Sequence, residues 1–144
     1  MKRFTRIVCM ILVLATALAI PASAVEIANQ RGSSYFAKYS VYLEKASGSQ
    51  FKIWFDVTAL DVMSKLGASE ITVERSSDQV NWTPMQTYYK AYNSQMVASN
   101  RGSYANYVTY TYTSGYYYRA TITLYAKNSS GSAESTVTTT TEYF

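Results

Sequence analysis

Alternation of apolar and polar residues recurs along this chain, and it constrains the fold more than any other feature. Residues 35–45, 51–59 and 116–126 each carry apolar or aromatic side chains at every second position. A period of two matches a strand with one buried face, whereas a helix repeats every 3.6 residues. After residue 24, only residues 61–66 are compatible with a helical turn, which would end before Gly67. The sequence therefore predicts an all-β protein.

The alternating segments are separated by turn residues, and together they predict seven strands. The strands are expected over residues 35–45, 51–59, 70–75, 82–89, 107–112 and 116–126, with a seventh after the turn at 127–132. Pro84 cannot donate a ladder hydrogen bond, so the fourth strand is expected at a sheet edge. Residues 90–103 are polar and long enough to cross between sheets. The prediction is an antiparallel β-sandwich of about seven strands over residues 35–144, after a flexible mature N-terminus at residues 25–34.

Two hairpins are specific enough to predict the register of their strands. A turn centred on Gly48 places Leu43 opposite Ile53, and on the other face it pairs Glu44 with Lys52. Opposite charges facing each other stabilise a strand pair. The turn at 127–132 forms the other hairpin, with expected pairs Ala126–Ala133, Ile122–Val137, Tyr125–Glu134, Thr123–Thr136 and Thr121–Thr138. The inward parity predicts a core that includes Ile53, Phe55, Val57, Ile71, Val73, Ile122 and Leu124.

The first 24 residues have the pattern of a secretory signal peptide. Lys2, Arg3 and Arg6 precede an uncharged apolar run at residues 7–20, and the segment ends in Ala22-Ser-Ala24. A run of 14 residues at about 1.5 Å rise is shorter than the roughly 30 Å hydrocarbon core, which favours a cleaved leader over a membrane anchor. We therefore expect a secreted, extracellular protein that is not held by a membrane after cleavage.

Composition excludes several chemistries. The chain has no histidine, and its single cysteine, Cys9, lies in the leader. Catalytic pairs with histidine, imidazole metal sites and an internal disulfide are therefore excluded. Without the leader, ten Lys and Arg residues remain against nine Asp and Glu, a net charge of +1. No basic cluster remains to neutralise a row of phosphates, so neither nucleic acid nor an anionic membrane is an expected partner.

The remaining carboxylates do not form a recognisable active site or metal site. Glu70 and Glu74 share a strand face but lie roughly 13 Å apart by strand rise, farther than glycosidase carboxylate pairs. Asp78 and Asn81 could offer oxygens to calcium, but one carboxylate is poor for that ion. Turn formation through Asx hydrogen bonds explains both residues better. We expect a protein with no cofactor and no enzymatic activity.

Short motifs resemble those of fibronectin type III domains. Residues 126–131, Ala-Lys-Asn-Ser-Ser-Gly, resemble the A-x-N-x-x-G end of the sixth strand in that family. Residues 71–78, followed by Trp82, are similar to the third and fourth strands of bacterial members. The mature chain resembles small secreted fibronectin type III-like proteins of Gram-positive bacteria, which are immunoglobulin-like sandwiches with no assigned activity.

The resemblance also implies two aromatic positions that this chain fills differently. The corner tyrosine of the family falls at Ala120, so Tyr118 takes that role only with a shift of one alternation step. The family buries a tryptophan of the second strand, but Trp54 has the parity opposite to Ile53 and Phe55. Either the strand carries a bulge, or Trp54 lies outside the core.

The candidate binding residues are the aromatic and charged side chains of outward parity. Trp54 and Tyr42 form one candidate surface; Tyr117, Arg119 and Tyr125 form another. Flat aromatic faces stack against sugar rings and protein partners, although aromatic residues also shield sheet surfaces without any ligand. We expect a monomeric binding or adhesion module whose partner is an unknown protein or glycan at the cell surface or in the medium. A structural or envelope-associated assembly protein is the alternative, and an enzyme is a distant third.

The leader generates the first testable prediction. Cleavage after Ala24 should produce a secreted protein that begins at Val25, because Ala22 and Ala24 provide the small residues that the signal peptidase requires. N-terminal sequencing of the protein recovered from the medium checks this. A sequence that begins at Met1 would contradict it.

Overall fold

The computed structural model describes residues 35–144, which form a β-sandwich. The predicted signal peptide, its cleavage residues Ala22, Ala24 and Val25, and the 25–34 segment lie outside the described residues. The strands are β1 (Phe36–Lys45), β2 (Gln50–Met63), β3 (Lys65–Ser76), β4 (Thr83–Tyr89), β5 (Val97–Ala98), β6 (Arg101–Thr111), β7 (Tyr117–Asn128), β8 (Gly131–Thr138) and β9 (Glu142–Tyr143). A short 3-10 helix, Ser94–Met96, precedes β5.

The strands are divided between two antiparallel sheets. The three-stranded sheet has the order β1-β2-β6, and the six-stranded sheet has the order β4-β3-β7-β8, with β5 beside β3 and β9 beside β7. The chain changes sheet between β2 and β3, between β5 and β6, and between β6 and β7. The predicted sandwich is confirmed, and β4, which contains Pro84, lies at a sheet edge as expected.

Both predicted hairpin registers are confirmed. In the first hairpin, Leu43 pairs with Ile53 and Glu44 pairs with Lys52. Gly48 takes a positive φ of 67°, and the Ala46 amide donates to the Gln50 carbonyl at 2.9 Å to close the turn. The five pairs predicted between β7 and β8 are also present. Alternation and turn composition together were sufficient because each hairpin joins strands that are adjacent in sequence.

The core lies between the two sheets and includes every core residue predicted from the sequence. Those residues are Ile53, Phe55, Val57, Ile71, Val73, Ile122 and Leu124, and each is fully buried. One end of the core is aromatic, with the Phe51 ring centroid 5.5 Å from that of Tyr118 and 4.8 Å from that of Phe144. Burial of each large apolar side chain contributes about 1.5–3 kcal/mol.

Residues 61–66, which were compatible with a helical turn in the sequence, lie in two strands instead. β2 continues to Met63 and β3 begins at Lys65, so the two strands are joined by a tight connection at Ser64. Met63 and Leu66 are both buried, one on each side of this connection. Their spacing of three residues therefore resembles one face of a helix. Gly67 then takes a φ of 154°, and any Cβ there would collide with the carbonyl oxygen of Met96.

The fifth predicted strand, residues 107–112, is longer than expected. It begins at Arg101, so the polar segment 90–103 contains the 3-10 helix, β5 and the start of β6. Polar residues such as Ser103 fit there because the outer face of β6 is exposed to solvent. Within residues 35–144, no helix is long and apolar enough to span a membrane.

The inward parity of β7 generates a stability prediction. Ile122→Asp should unfold the domain, because burial of an unpaired carboxylate costs several kcal/mol against a total stability of about 5–15 kcal/mol. Thr136→Asp is the matched control, since Thr136 is exposed on the adjacent strand and should change stability by less than about 1 kcal/mol. Urea unfolding followed by circular dichroism measures both variants. An unchanged midpoint for Ile122→Asp would show that the parity of β7 is assigned wrongly.

Candidate functional site

Three aromatic side chains form a row across the outer face of the three-stranded sheet. Tyr42 of β1 pairs with Trp54 of β2, which pairs in turn with Tyr107 of β6. The ring centroids of Tyr42 and Trp54 are 6.1 Å apart with an interplanar angle of 15°. Those of Trp54 and Tyr107 are 4.6 Å apart at 51°. We call these three residues the aromatic row.

The position of Trp54 follows from the strand on which it lies. β2 is the central strand of its sheet, and its register with both neighbours is unbroken from Phe51 to Val57. No bulge reverses the parity, so Trp54 points away from the core and is half-buried. Of the two alternatives left open by the sequence, the structure therefore places Trp54 on the outer face.

Charged neighbours fix the geometry of the aromatic row. The Trp54 indole N–H donates to the Glu44 carboxylate, which also lies 3.5 Å from the Lys52 ammonium. That ammonium lies 4.9 Å from the Tyr107 ring centroid, within cation–π range. The hydrogen bond to Glu44 thus holds the Trp54 indole at its N–H edge, and the side chains beside the indole include the charged Glu44 and Lys52. Burial, together with the charges of Glu44 and Asp56, raises the pKa of the Tyr42 hydroxyl.

The outer face around the aromatic row has no branched aliphatic side chain. Its other members are Lys38, Ser40, Glu44, Gln50, Lys52, Asp56, Thr58, Ser103, Ala105, Thr109 and Thr111. Two lysines and two carboxylates balance each other, and hydroxyl groups supply most of the remaining polar atoms. The exposed Leu60 and Val62 lie beyond the regular ladder, six or more residues and roughly 20 Å along β2 from Trp54.

The second set of predicted residues does not form one surface. Tyr117 and Tyr125 lie on the outer face of β7, eight residues and roughly 26 Å apart. Tyr117 contacts Tyr143 at 4.9 Å between ring centroids, whereas the Lys90 ammonium lies 3.4 Å from the Tyr125 centroid. Each ring is thus covered by a different neighbour at a different end of the strand. As predicted, this set and Trp54 lie in different sheets.

Arg119 is committed to partners within the domain. Its Nε donates to Glu74 at 2.9 Å and its Nη2 donates to the same carboxylate at 3.4 Å. The guanidinium carbon lies 4.1 Å from the Trp82 ring centroid, and the Thr121 hydroxyl donates to Glu74 at 3.2 Å. A guanidinium held by a bidentate pair and a stacked ring has little capacity left for a ligand. This network explains Arg119 as a structural residue of the six-stranded sheet.

Tyr107 is the member of the candidate site that sequence reasoning missed. It lies on β6, which pairs with β2 although residues 64–100 separate the two strands. No turn connects those two strands, so their register could not be predicted from local spacing. The signal available in the sequence was the position of Tyr107 next to Val108. Neighbouring residues of a strand point to opposite faces, and Val108 is buried, so Tyr107 points outward.

Asp78 and Asn81 form the predicted Asx turn between β3 and β4. The Asp78 carboxylate accepts hydrogen bonds from the amides of Asn81 and Val80, at 2.8 and 2.9 Å, and from the Ser76 hydroxyl at 2.9 Å. The Asn81 side-chain amide donates to its other oxygen at 2.7 Å. These donors leave the carboxylate fully engaged in the turn. Across residues 35–144, no group of three or more metal-binding side chains is present.

Comparisons with protein-family models, with curated proteins and with solved structures give no match for this chain. The functional interpretation therefore depends on the geometry of the molecule and on its sequence.

The Asx turn generates a prediction about pH. Hydrogen bonds, led by that from the Asn81 amide, hold the pKa of the Asp78 carboxyl well below its usual range. Because the ionised form is favoured in the folded state, this stabilisation is present above the unfolded pKa of about 3.9 and is lost as the pH falls below it.

Asp78→Asn keeps an acceptor oxygen but cannot titrate, so its stability should fall less steeply than that of the wild type as the pH is lowered from about 5 to about 2. Urea unfolding midpoints of both proteins across this range measure the difference. Parallel curves would contradict the role assigned to Asp78.

Proposed function

We propose that this chain is a secreted, non-enzymatic binding or adhesion module that engages its partner through the outer face of the three-stranded sheet. The aromatic row is the observation that carries the proposal. Tyr42, Trp54 and Tyr107 lie side by side and partly exposed, on a face that no other part of residues 35–144 covers. Aromatic residues provide large contact area with few rotatable bonds, so they bind at small entropic cost.

A fibronectin type III-like ancestry is part of the proposal, and two features support it. The first feature is the strand order. β4 lies beside β3, so one sheet contains β1, β2 and β6 and the other contains β4, β3, β7 and β8. In addition, the Tyr118 hydroxyl donates to the Thr113 carbonyl and accepts from the Thr113 amide, both at 3.0 Å. Tyr118 lies at the start of β7, which is the sixth of the seven strands predicted from the sequence. A tyrosine at this place that hydrogen-bonds to the backbone a few residues upstream is typical of immunoglobulin-like sandwiches.

Secretion and the partner class are supported by the sequence. The leader at residues 1–24 supports export, and the partner is accordingly a macromolecule of the cell surface or the medium. The near-zero net charge of residues 25–144 argues against nucleic acid and anionic membranes. The tight pairing of Glu74 with Arg119 argues against a catalytic role for Glu74, because its carboxylate is held by a structural network.

Quantitative binding to intact producing cells and to their isolated envelopes tests the proposal. The labelled secreted protein should bind saturably as a monomer, and Trp54→Ala should weaken binding by about 1 kcal/mol or more. Trp82→Ala is the matched control, since it removes the other tryptophan of the chain, which lies just before β4 of the opposite sheet. Binding that is equally retained by both variants would refute the assignment of the aromatic row.

A second candidate function, assembly into a structural or envelope-associated layer, is favoured by one observation. β8 is an edge strand with a continuous register against β7, no proline and one charged residue, Glu134. Such an edge can pair with another strand. Sedimentation velocity distinguishes the two functions, because assembly requires oligomers that grow with protein concentration whereas the preferred function expects a monomer.

A further inference from the structure

We infer that the ligand of the aromatic row is an uncharged glycan chain; this inference rests on the proposed function and specifies its substrate class. The row spans the full width of a three-stranded sheet, from Tyr42 on one edge strand to Tyr107 on the other. A ligand that follows the row therefore crosses the strands instead of adding to a sheet edge.

The chemistry of the face matches the two requirements of sugar recognition. A sugar ring has an apolar face of C–H groups, which packs on aromatic rings, and a rim of hydroxyl groups, which needs donors and acceptors. The aromatic row supplies the rings. Asp56 and Ser40 lie in the next outward positions along the same strands, Thr58 lies one outward position farther along β2, and together they supply acceptors and hydroxyl groups.

The charges on this face favour an uncharged chain over an acidic one. Lys52 is engaged by Glu44 at 3.5 Å and lies over Tyr107, so its charge is already compensated. The positive charge of Lys38, the other lysine on the face, is offset by the negative charge of Asp56 on the same face. An acidic polysaccharide would need an excess of cations here, whereas the two lysines of this face are matched by two carboxylates, Glu44 and Asp56.

The same face is a poor match for a protein partner. The centre of a protein interface is enriched in aromatic residues and depleted of charged ones. Here Glu44 and Lys52 lie directly beside the aromatic row, and no leucine, isoleucine, valine or methionine accompanies it on the regular ladder. Burial of this face by a protein would desolvate a charge pair without an aliphatic core to offset the cost.

Affinity electrophoresis in gels that contain a soluble polysaccharide tests the inference. The neutral probes are hydroxyethylcellulose and galactomannan, and the acidic probe is polygalacturonate. At least one neutral probe should retard the secreted protein, and retardation should persist from about 0.05 to about 0.5 M NaCl because no charge pairing is involved.

Variants of the aromatic row identify the surface that binds. Trp54→Ala should raise the dissociation constant for the neutral probe about tenfold or more, and Tyr107→Ala should also weaken binding. Tyr107→Phe keeps the ring and should bind like the wild type. Trp82→Ala is the control for loss of an indole, and thermal unfolding confirms that each variant is folded.

The outcomes separate this inference from the proposed function. Retardation by the acidic probe alone, or binding to a proteinaceous envelope fraction that Trp54→Ala abolishes, would overturn the glycan assignment and leave the proposed binding face intact. Equal retardation of Trp54→Ala and the wild type would overturn both. A folded protein that binds neither these probes nor cells would also overturn both.

Discussion

Burial of one side of β2 is the constraint on which the rest of the molecule depends. Phe51, Ile53, Phe55 and Val57 fill the core between the sheets, and each is fully buried. A slip of one residue in the register would expose all four and bury Lys52 and Asp56, which would cost many kcal/mol. The register is therefore strongly specified, and Trp54 must lie on the outer face. The candidate binding site is thus a direct consequence of the way the core is packed.

The two outer faces of the sandwich differ in how their aromatic residues are arranged. On the six-stranded sheet, Glu74, Arg119 and Trp82 form a closed network, and threonines of facing strands hydrogen-bond one another, as Thr121 and Thr138 do at 3.2 Å. On the three-stranded sheet, Glu44, Lys52 and Trp54 form a comparable network, but Tyr42, Trp54 and Tyr107 lie side by side in one partly exposed row, and hydroxyl groups lie beside them on the same face. This contrast is why we place the binding function on the smaller sheet.

Local information in the sequence was sufficient for most of the fold and for part of the site. The pairs of β1 with β2 and of β7 with β8 followed from alternation and from turns such as that at Gly48, because the partner strands are neighbours in the chain. The joint between β2 and β3 was missed because Met63 and Leu66 mimic helical spacing, and Gly67 serves a contact with a distant residue. Tyr107 was missed for a related reason, since the pairing of β6 with β2 is non-local and no turn specifies it.

Exposure of Trp54 in the folded protein tests this account most directly. In a Trp82→Phe variant, Trp54 is the only tryptophan, so acrylamide quenching of its fluorescence reports its accessibility. Our account predicts that acrylamide quenches the folded variant to a clear fraction of the quenching seen in urea, because the indole is partly exposed between two tyrosines. Blue-shifted emission that acrylamide does not quench until the protein unfolds would contradict it. In that case Trp54 would be a core residue, and the aromatic row would not exist.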